Sequence, residues 1–135
     1  MQAAILRVKL KYLDQDNAKR VRIAKLYNDG LADTNLYPPY ERDNSTHVYH
    51  LYVVGCFENR SRLLLFLRRN GIGVSIHYPV PVHLQPAYTR LKKRSSLPVT
   101  ESISKEILSL PMYPELEEAE IAQIISLIQS FHGEI

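Results

Sequence analysis

A proline-rich segment that follows a predicted strand limits how this chain can fold more than any other feature of the sequence. The segment runs from Asn70 to Tyr88 and contains three prolines within eight residues, Pro79, Pro81 and Pro86. Proline has no amide proton and a fixed φ angle, so this part of the chain is expected to be extended and excluded from the centre of a sheet. Just before it, Asn70-Gly71 is typical of the left-handed position that closes a helix.

Side chains that can bind a ligand follow this stiff path. In the short strand predicted before the prolines, Ser75 and His77 share one face, opposite to Tyr78. Binding residues are often held on loops that leave the end of a strand. The segment is therefore a candidate binding site, with these polar and aromatic side chains: His77, Tyr78, His83, Gln85 and Tyr88. The alternative is a surface loop that the prolines only stiffen.

The size and composition of the chain favour a single globular domain. Its 135 residues are 45% hydrophobic and 23% charged, which is ordinary for a soluble protein. No apolar run approaches the roughly 20 residues of a membrane span, and the N-terminus lacks the pattern of a signal peptide. Cys56 is the only cysteine, which excludes a disulfide framework and a Cys-rich metal site. A cytoplasmic protein without membrane contact is expected.

The net charge of +3 is mildly basic. A single cluster, Arg90–Arg94, could contact the phosphates of a nucleic acid or a nucleotide, although such clusters are more often solvated loops. A nucleic-acid binder with an RRM-like sheet is disfavoured because the paired aromatic strand motifs of that fold are missing.

One long helix is predicted for residues 2–32. An apolar stripe recurs at three- and four-residue steps and carries Leu6, Leu10, Leu13, Asn17, Val21, Ala24, Tyr27 and Leu31. Ile5, Val8 and Tyr12 widen this stripe in the first half, which predicts packing partners on two sides. The helix begins without a Ser, Thr, Asp or Asn cap, which suggests a sequence cut from a longer one.

The rest of the chain alternates strands and helices. Strands are predicted at 47–54, in the middle of the sheet, and at 108–114, where prolines confine the strand to an edge or an end. Helices are predicted at 60–70 after an Asn59 cap, at 98–108, and after Glu117. This order predicts an α+β domain with a small sheet of about three strands covered by helices.

The residues alone reveal no catalytic machinery. There is no Gly-rich phosphate loop and no Cys-His motif, and no lysine lies in an apolar setting that would favour a Schiff base. His47 and His50 fall on opposite faces of their predicted strand, so they are not expected to bind zinc together.

Four segments resemble signatures of one family in the same order. They are QAAILRVKLKYLD with RIAKLYNDGL, then HVYHLYVV, GIGVSIHYPVPVHLQPAY and EILSLPMYPEL. The chain is thereby identified as similar to the pyridoxal-phosphate-dependent sugar aminotransferases of the DegT/DnrJ/StrS group. The resemblance implies the C-terminal small domain of a type I, aspartate aminotransferase-like transferase. Residues 1–32 would be its linking helix and residues 33–135 its α+β small domain.

The resemblance also implies what this chain lacks. The Schiff-base lysine and most ligands of pyridoxal phosphate belong to a missing N-terminal domain, so the chain is expected to hold no cofactor and to be inactive alone. The intact enzyme would be a homodimer acting on a nucleotide-linked sugar. His77 and Tyr78 would line its substrate pocket, with His50, His83 and Gln85 as further candidates. The alternatives are that His50 is a buried core residue and His83 an ordinary loop residue.

Two departures from the family pattern are expected to matter. Gly55-Cys56 ends a strand with small residues, which leaves that end of the pocket in question. Glu117 replaces the usual Ser or Thr cap, which should weaken the last helix slightly. The competing interpretation is a stand-alone ligand-binding or interaction module that keeps the fold without the chemistry, although the apolar flank of the first helix argues against it.

Overall fold

A helical run opens the chain and is longer than any other element. The structure, a computed structural model, describes residues 1–56, 59–88 and 96–131. Helix α1 (Gln2–Lys9) leads through a 3-10 turn at Leu10–Tyr12 into α2 (Leu13–Gly30). The helix predicted for 2–32 is thus confirmed, apart from the tighter turn. Only the second half packs: α2 buries Ile23, Ala24 and Tyr27, whereas α1 buries none of its residues.

The sheet consists of two antiparallel strands, β1 (Tyr52–Gly55) and β2 (Ile107–Leu110), in the register Tyr52↔Leu110. Isolated bridges extend it on both sides: Tyr37 pairs with Gly55, and Ser75 pairs with Ser109. β2 therefore lies in the middle, so of the two alternatives predicted for 108–114 the edge position was wrong and the position of the prolines at an end of the strand is confirmed. The strand ends at Leu110, so Pro111 and Pro114 follow the ladder and remove no hydrogen bond from it.

The strand predicted for 47–54 is half as long as expected. Tyr49 has a φ of +48°, a left-handed conformation that interrupts an extended chain. Its amide donates to Nδ1 of His47 at 2.9 Å, so the local hydrogen bond replaces a ladder bond. The Tyr49 side chain is nonetheless buried, and β1 begins only at Tyr52.

Helix α3 (Arg60–Arg69) confirms the helix predicted at 60–70 and buries Leu63 and Leu67, and the chain leaves it through Gly71 at a φ of +80°. Asn59 precedes the helix, but its side chain makes no capping hydrogen bond. The strand expected before the prolines is reduced to the single bridge at Ser75. It is anchored by Arg68, whose Nε and Nη2 donate to the Val74 carbonyl at 3.3 and 3.0 Å.

Helices α4 (Pro98–Glu106) and α5 (Glu118–Ser130) complete the fold. Glu117 and Glu120 form a reciprocal capping box at the start of α5, so the weakening expected from Glu117 is offset. The stripe of α5 joins α2, α3 and both strands in one core, with Ile121, Ile124 and Ile128 buried. Within the described residues, no helix is long and apolar enough to span a membrane. The basic cluster Arg90–Arg94 lies outside the described residues.

Candidate functional site

His77 is fixed to the centre of the sheet. Its Nδ1 lies 2.9 Å from Oγ of Ser109, which is 3% exposed in the middle of β2. Two backbone hydrogen bonds join Ser75 and Ser109, at 2.8 and 3.2 Å, and place His77 beside that hydroxyl. Because β2 alternates its side chains, Ser109 lies on the face opposite to Leu108 and Leu110, which belong to the core. A half-buried imidazole is thus held on the open face of the sheet.

An open groove of about 560 Å³ lies between α3 and the segment that carries His77. Among the described residues, its polar lining consists of Arg60, Ser61, Arg68, Ser75 and His77, with apolar side chains between them and no acidic one. Nε and Nη1 of Arg60 are buried, yet they have no hydrogen-bond acceptor among the described residues. The groove therefore combines positive charge with unused hydrogen-bond donors.

Cys56 directly follows β1. Its thiol is buried, and the burial raises its pKa to about 11, although the charge of Arg60 acts in the opposite direction. The thiol is therefore neutral at physiological pH and provides no counter-charge for the guanidinium. A Cβ on Gly55 would lie 3.4 Å from Cβ of Tyr37 on the neighbouring segment, which is an ordinary van der Waals contact, so this neighbour does not require a glycine.

Tyr78 follows His77 through a cis peptide bond. Its ring meets the imidazole edge to face, with centroids 5.4 Å apart and an interplanar angle of 89°. The tyrosine is 71% exposed, although the strand pattern placed it on the same face as buried Val74. The pair thus presents one held ring and one accessible ring, an arrangement suited to stacking against a ligand.

His83 lies further along the proline-rich segment and is held by α4. Its Nε2 is 3.0 Å from Oε1 of Glu101, and the same carboxylate accepts the backbone N–H of Leu97 at 3.0 Å. The Leu97 amide, followed by the His83 hydrogen bond, lowers the pKa of Glu101. Gln85 is half-buried between the 3-10 turns at Val82–Leu84 and Pro86–Tyr88. His83 and Gln85 thus belong to the packed loop, whereas His77 lines the groove.

His50 is exposed, so the alternative in which it is a buried core histidine is wrong. It precedes β1 in the interrupted stretch, and no side-chain hydrogen bond of His50 is found with the rest of the described chain. The opposite-face argument for His47 and His50 also needs correction, because neither residue lies in a strand. In the ranges 1–56, 59–88 and 96–131, no group of three or more His, Cys, Asp or Glu side chains could hold a metal ion.

The roles of three residues in these contacts were not predicted from the sequence: Ser109, Arg60 and Glu101. The sequence does contain a signal for Ser109, because a lone hydroxyl between leucines in a buried strand requires a hydrogen-bond partner. Arg60 is the first residue of its helix, and Glu101 lies four residues before Lys105, as expected for an ordinary surface ion pair. Their roles depend on contacts between distant segments, which local patterns do not report.

The sequence of this chain matches those of known proteins over nearly its whole length. The model of the DegT/DnrJ/EryC1/StrS aminotransferase family matches residues 1–129. The chain is 36% identical over 131 residues to a dTDP-3-amino-3,6-dideoxy-alpha-D-galactopyranose transaminase of Aneurinibacillus thermoaerophilus, covering 97% of this chain and 36% of that protein. It is 38% identical to a dTDP-3-amino-3,4,6-trideoxy-alpha-D-glucose transaminase of Streptomyces venezuelae, covering 97% and 35%.

The three-dimensional comparison agrees. The crystal structure of S. venezuelae DesV superimposes on the whole chain with a TM-score of 0.90 at 36% identity. The match accounts for 37% of the DesV chain. The chain described here thus spans little more than a third of the length of the relatives it resembles.

Proposed function

The chain belongs to the DegT/DnrJ/EryC1/StrS aminotransferase family, and from this premise we propose that it forms the C-terminal part of a pyridoxal-phosphate-dependent enzyme that transfers an amino group from an amino acid to a nucleotide-linked keto-sugar. The observation that carries the proposal is the match of nearly the whole chain to about 36% of a dTDP-sugar transaminase. Residues 1–32 would link this part to the remainder of the enzyme, and residues 33–135 would form the small domain.

The exposed face of the first helices supports a missing partner domain. Over residues 1–13, large apolar side chains are about half exposed or more: Ile5, Leu6, Val8, Leu10, Tyr12 and Leu13. A contiguous apolar surface of this kind is typical of an interface rather than of a solvated helix. We assign it to the part of the family protein that lies outside this chain. A homodimer of the intact enzyme is part of the same proposal.

The lysines support a cofactor held outside this chain. A Schiff-base lysine requires a desolvated pocket that favours its neutral form. Every lysine that the structure describes is exposed, namely Lys9, Lys11, Lys19, Lys25 and Lys105. The described residues therefore do not fit the site of an internal aldimine, and the chain alone is expected to bind no pyridoxal phosphate through a lysine.

His77 and Tyr78 are proposed to contact the sugar nucleotide from the small-domain side of the cleft. Support comes from the groove beside His77 and from the exposed ring of Tyr78. His83 and Gln85 would shape the loop, and His50, which is exposed before β1, is retained as a peripheral candidate.

A chimera tests the function. The matched 131-residue segment of the A. thermoaerophilus transaminase would be replaced by this chain. The chimera should show the absorbance of bound pyridoxal phosphate and transfer an amino group to a dTDP-linked keto-sugar, whereas the 135-residue chain alone should do neither. A chimera that folds and binds the cofactor but transfers no amino group would contradict the proposal. A monodisperse, monomeric chain whose apolar face binds nothing would favour the stand-alone module.

A further inference from the structure

The groove beside α3 holds an arginine to which the proposed function assigns no role. We propose that this groove binds an oxyanion, with the guanidinium of Arg60 and the imidazole of His77 as donors and with Ser109 as the residue that positions the imidazole. The identity of the anion rests on the proposed function: it would be the diphosphate of the nucleotide sugar or the carboxylate of the amino donor.

Arg60 provides the first argument. Its buried Nε and Nη1 lack an acceptor among the described residues, and a buried charged donor without a partner is costly. Cys56, whose thiol is the ionisable group affected by this charge, stays neutral at physiological pH. A planar guanidinium matches the geometry of a phosphate or carboxylate and can bind it through two hydrogen bonds. Nε and Nη1 have almost no exposed surface, so an oxyanion in the groove would pair with them once the Arg60 side chain turns toward it, and would then satisfy donors that the described chain leaves unpaired.

His77 provides the second argument. The hydrogen bond from Nδ1 to Oγ of Ser109 fixes the ring, and Nε2 has no partner in the part of the chain that the structure describes. When the hydroxyl donates to Nδ1, the proton of the neutral imidazole lies on Nε2, where it can be donated to a ligand. Ser109 does not line the groove, so it acts through His77.

The composition of the groove is the third argument. Arg60 and Arg68 supply its only charged side chains among the described lining residues, and both are positive. Arg68 already uses Nε and Nη2 on the Val74 carbonyl, whereas Nε and Nη1 of Arg60 have no acceptor among the described residues. The volume of about 560 Å³ is within the usual range of small-molecule sites.

Titration of the 15N-labelled chain with inorganic diphosphate, dTDP and L-glutamate tests the proposal. We expect saturable shifts of the Arg60 side chain and the His77 ring. Arg60→Gln should weaken binding at least about tenfold, since it removes charge-assisted hydrogen bonds. Arg69→Gln is the matched control, because Arg69 is exposed on the same helix outside the groove, and it should change binding less than about twofold. Tighter binding of dTDP identifies the diphosphate as the anion, and tighter binding of glutamate identifies the donor carboxylate.

Ser109→Ala tests the positioning role through the imidazole itself. The 15N shifts of the His77 ring should change toward a mixture of tautomers and anion binding should weaken, whereas Ser109→Thr should restore both. Equal binding by wild type and Arg60→Gln, or no saturable binding of any probe, would overturn the inference. The anion site and the proposed function can fail independently. If the chimera is active but Arg60→Gln binds anions normally, only the anion site is wrong. If the chimera is inactive but anion binding depends on Arg60, only the proposed function is wrong.

Discussion

At the scale of single residues, two stacked tyrosines join the first long helix to the sheet. The rings of Tyr27 and Tyr52 are 4.8 Å apart, and both side chains are fully buried. Each hydroxyl is satisfied: Tyr27 donates to the Pro111 carbonyl at 3.1 Å, and Tyr52 donates to Oδ1 of Asn28 at 2.6 Å. Burial raises the pKa of both phenols, so both remain donors at physiological pH. The pair supplies apolar area without an unpaired polar group.

Tyr27→Phe isolates one of these hydrogen bonds. We expect a loss of about 1 kcal/mol in the free energy of unfolding, because the ring stays packed while the Pro111 carbonyl loses its donor. Denaturant titration measures the change. Tyr40→Phe is the control, since Tyr40 is 79% exposed, and its stability should equal that of wild type. If both variants lose the same amount, the buried hydrogen bond does not account for the effect.

Prediction from sequence succeeded for residues whose neighbours lie within a helical turn. The helical stripe identified Tyr27 and Leu31 as core positions, and both are buried. The same stripe also included Leu6 and Leu10, which are exposed, because periodicity reports the apolar face of a helix but not whether anything covers it. Ser109 and Arg60 depend on side chains brought close by the fold, so no local pattern indicated their roles.

At the scale of elements, the close approach of α2 and α5 depends on a glycine at the end of α2. A Cβ on Gly30 would lie 2.5 Å from Cδ1 and 2.9 Å from Cγ2 of Ile125. Nearby, Nε2 of Gln129 donates to the Gly30 carbonyl at 2.9 Å and satisfies an acceptor at the helix end. The two helices are therefore joined by a steric fit and by a hydrogen bond at the same point.

A double-mutant cycle tests this fit. Gly30→Ala should destabilise the protein by about 1–2 kcal/mol, because overpacking against Ile125 outweighs the roughly 1 kcal/mol that alanine gains in helix propensity. In an Ile125→Ala background the clash is removed, and the same Gly30→Ala change should be neutral or stabilising. Thermal or urea unfolding of the four proteins measures the coupling. Equal effects of Gly30→Ala in both backgrounds would show that Ile125 does not limit the approach.

The Glu101 carboxylate joins α4 to the proline-rich segment, and its lowered pKa determines how this contact responds to pH. Hydrogen bonds from the Leu97 amide and from His83 favour the ionised carboxylate in the folded state. A carboxyl whose folded pKa is depressed stabilises the protein above its unfolded pKa and loses that contribution as the pH falls through the folded value. We therefore expect Glu101→Gln to unfold more easily at neutral pH and to show a shallower loss of stability on acidification. Glu115→Gln, an exposed carboxyl, serves as the control in the same pH series.

The elements themselves were predictable to different degrees. The helices at 60–70, 98–108 and after 117 follow from spacing and end signals, and the structure confirms them within two residues. The sheet was harder to predict, because a strand is defined by its partners. The stretch from His47 to Leu51 has strand-forming residues, yet a left-handed Tyr49 interrupts it, and β2 is central although prolines follow it.

At the scale of the whole molecule, the first 13 residues have no tertiary support of their own. α1 has eight residues and buries none of them, so its support comes from its continuation into α2, and a helix end without packing opens easily. The sequence predicted packing partners on two sides of this region. We propose that these partners belong to the part of the family protein that lies outside this chain. Under the proposed assignment, this apolar face would be covered by the part of the family protein that lies outside this chain.

Hydrogen exchange measures this dependence on the missing part. In the isolated chain, amides of α1 should exchange nearly as fast as an unfolded peptide, while those of Ile121–Ile128 in α5 should be protected up to the global free energy of unfolding. In the chimera with the A. thermoaerophilus transaminase, the α1 amides should become protected, because docking covers the apolar face and holds the helix. Measurements at two protein concentrations separate docking from self-association, since only protection by a second copy increases with concentration. Strong protection of α1 in the monomeric chain, or none in a folded chimera, would contradict the assignment of this face to the partner domain.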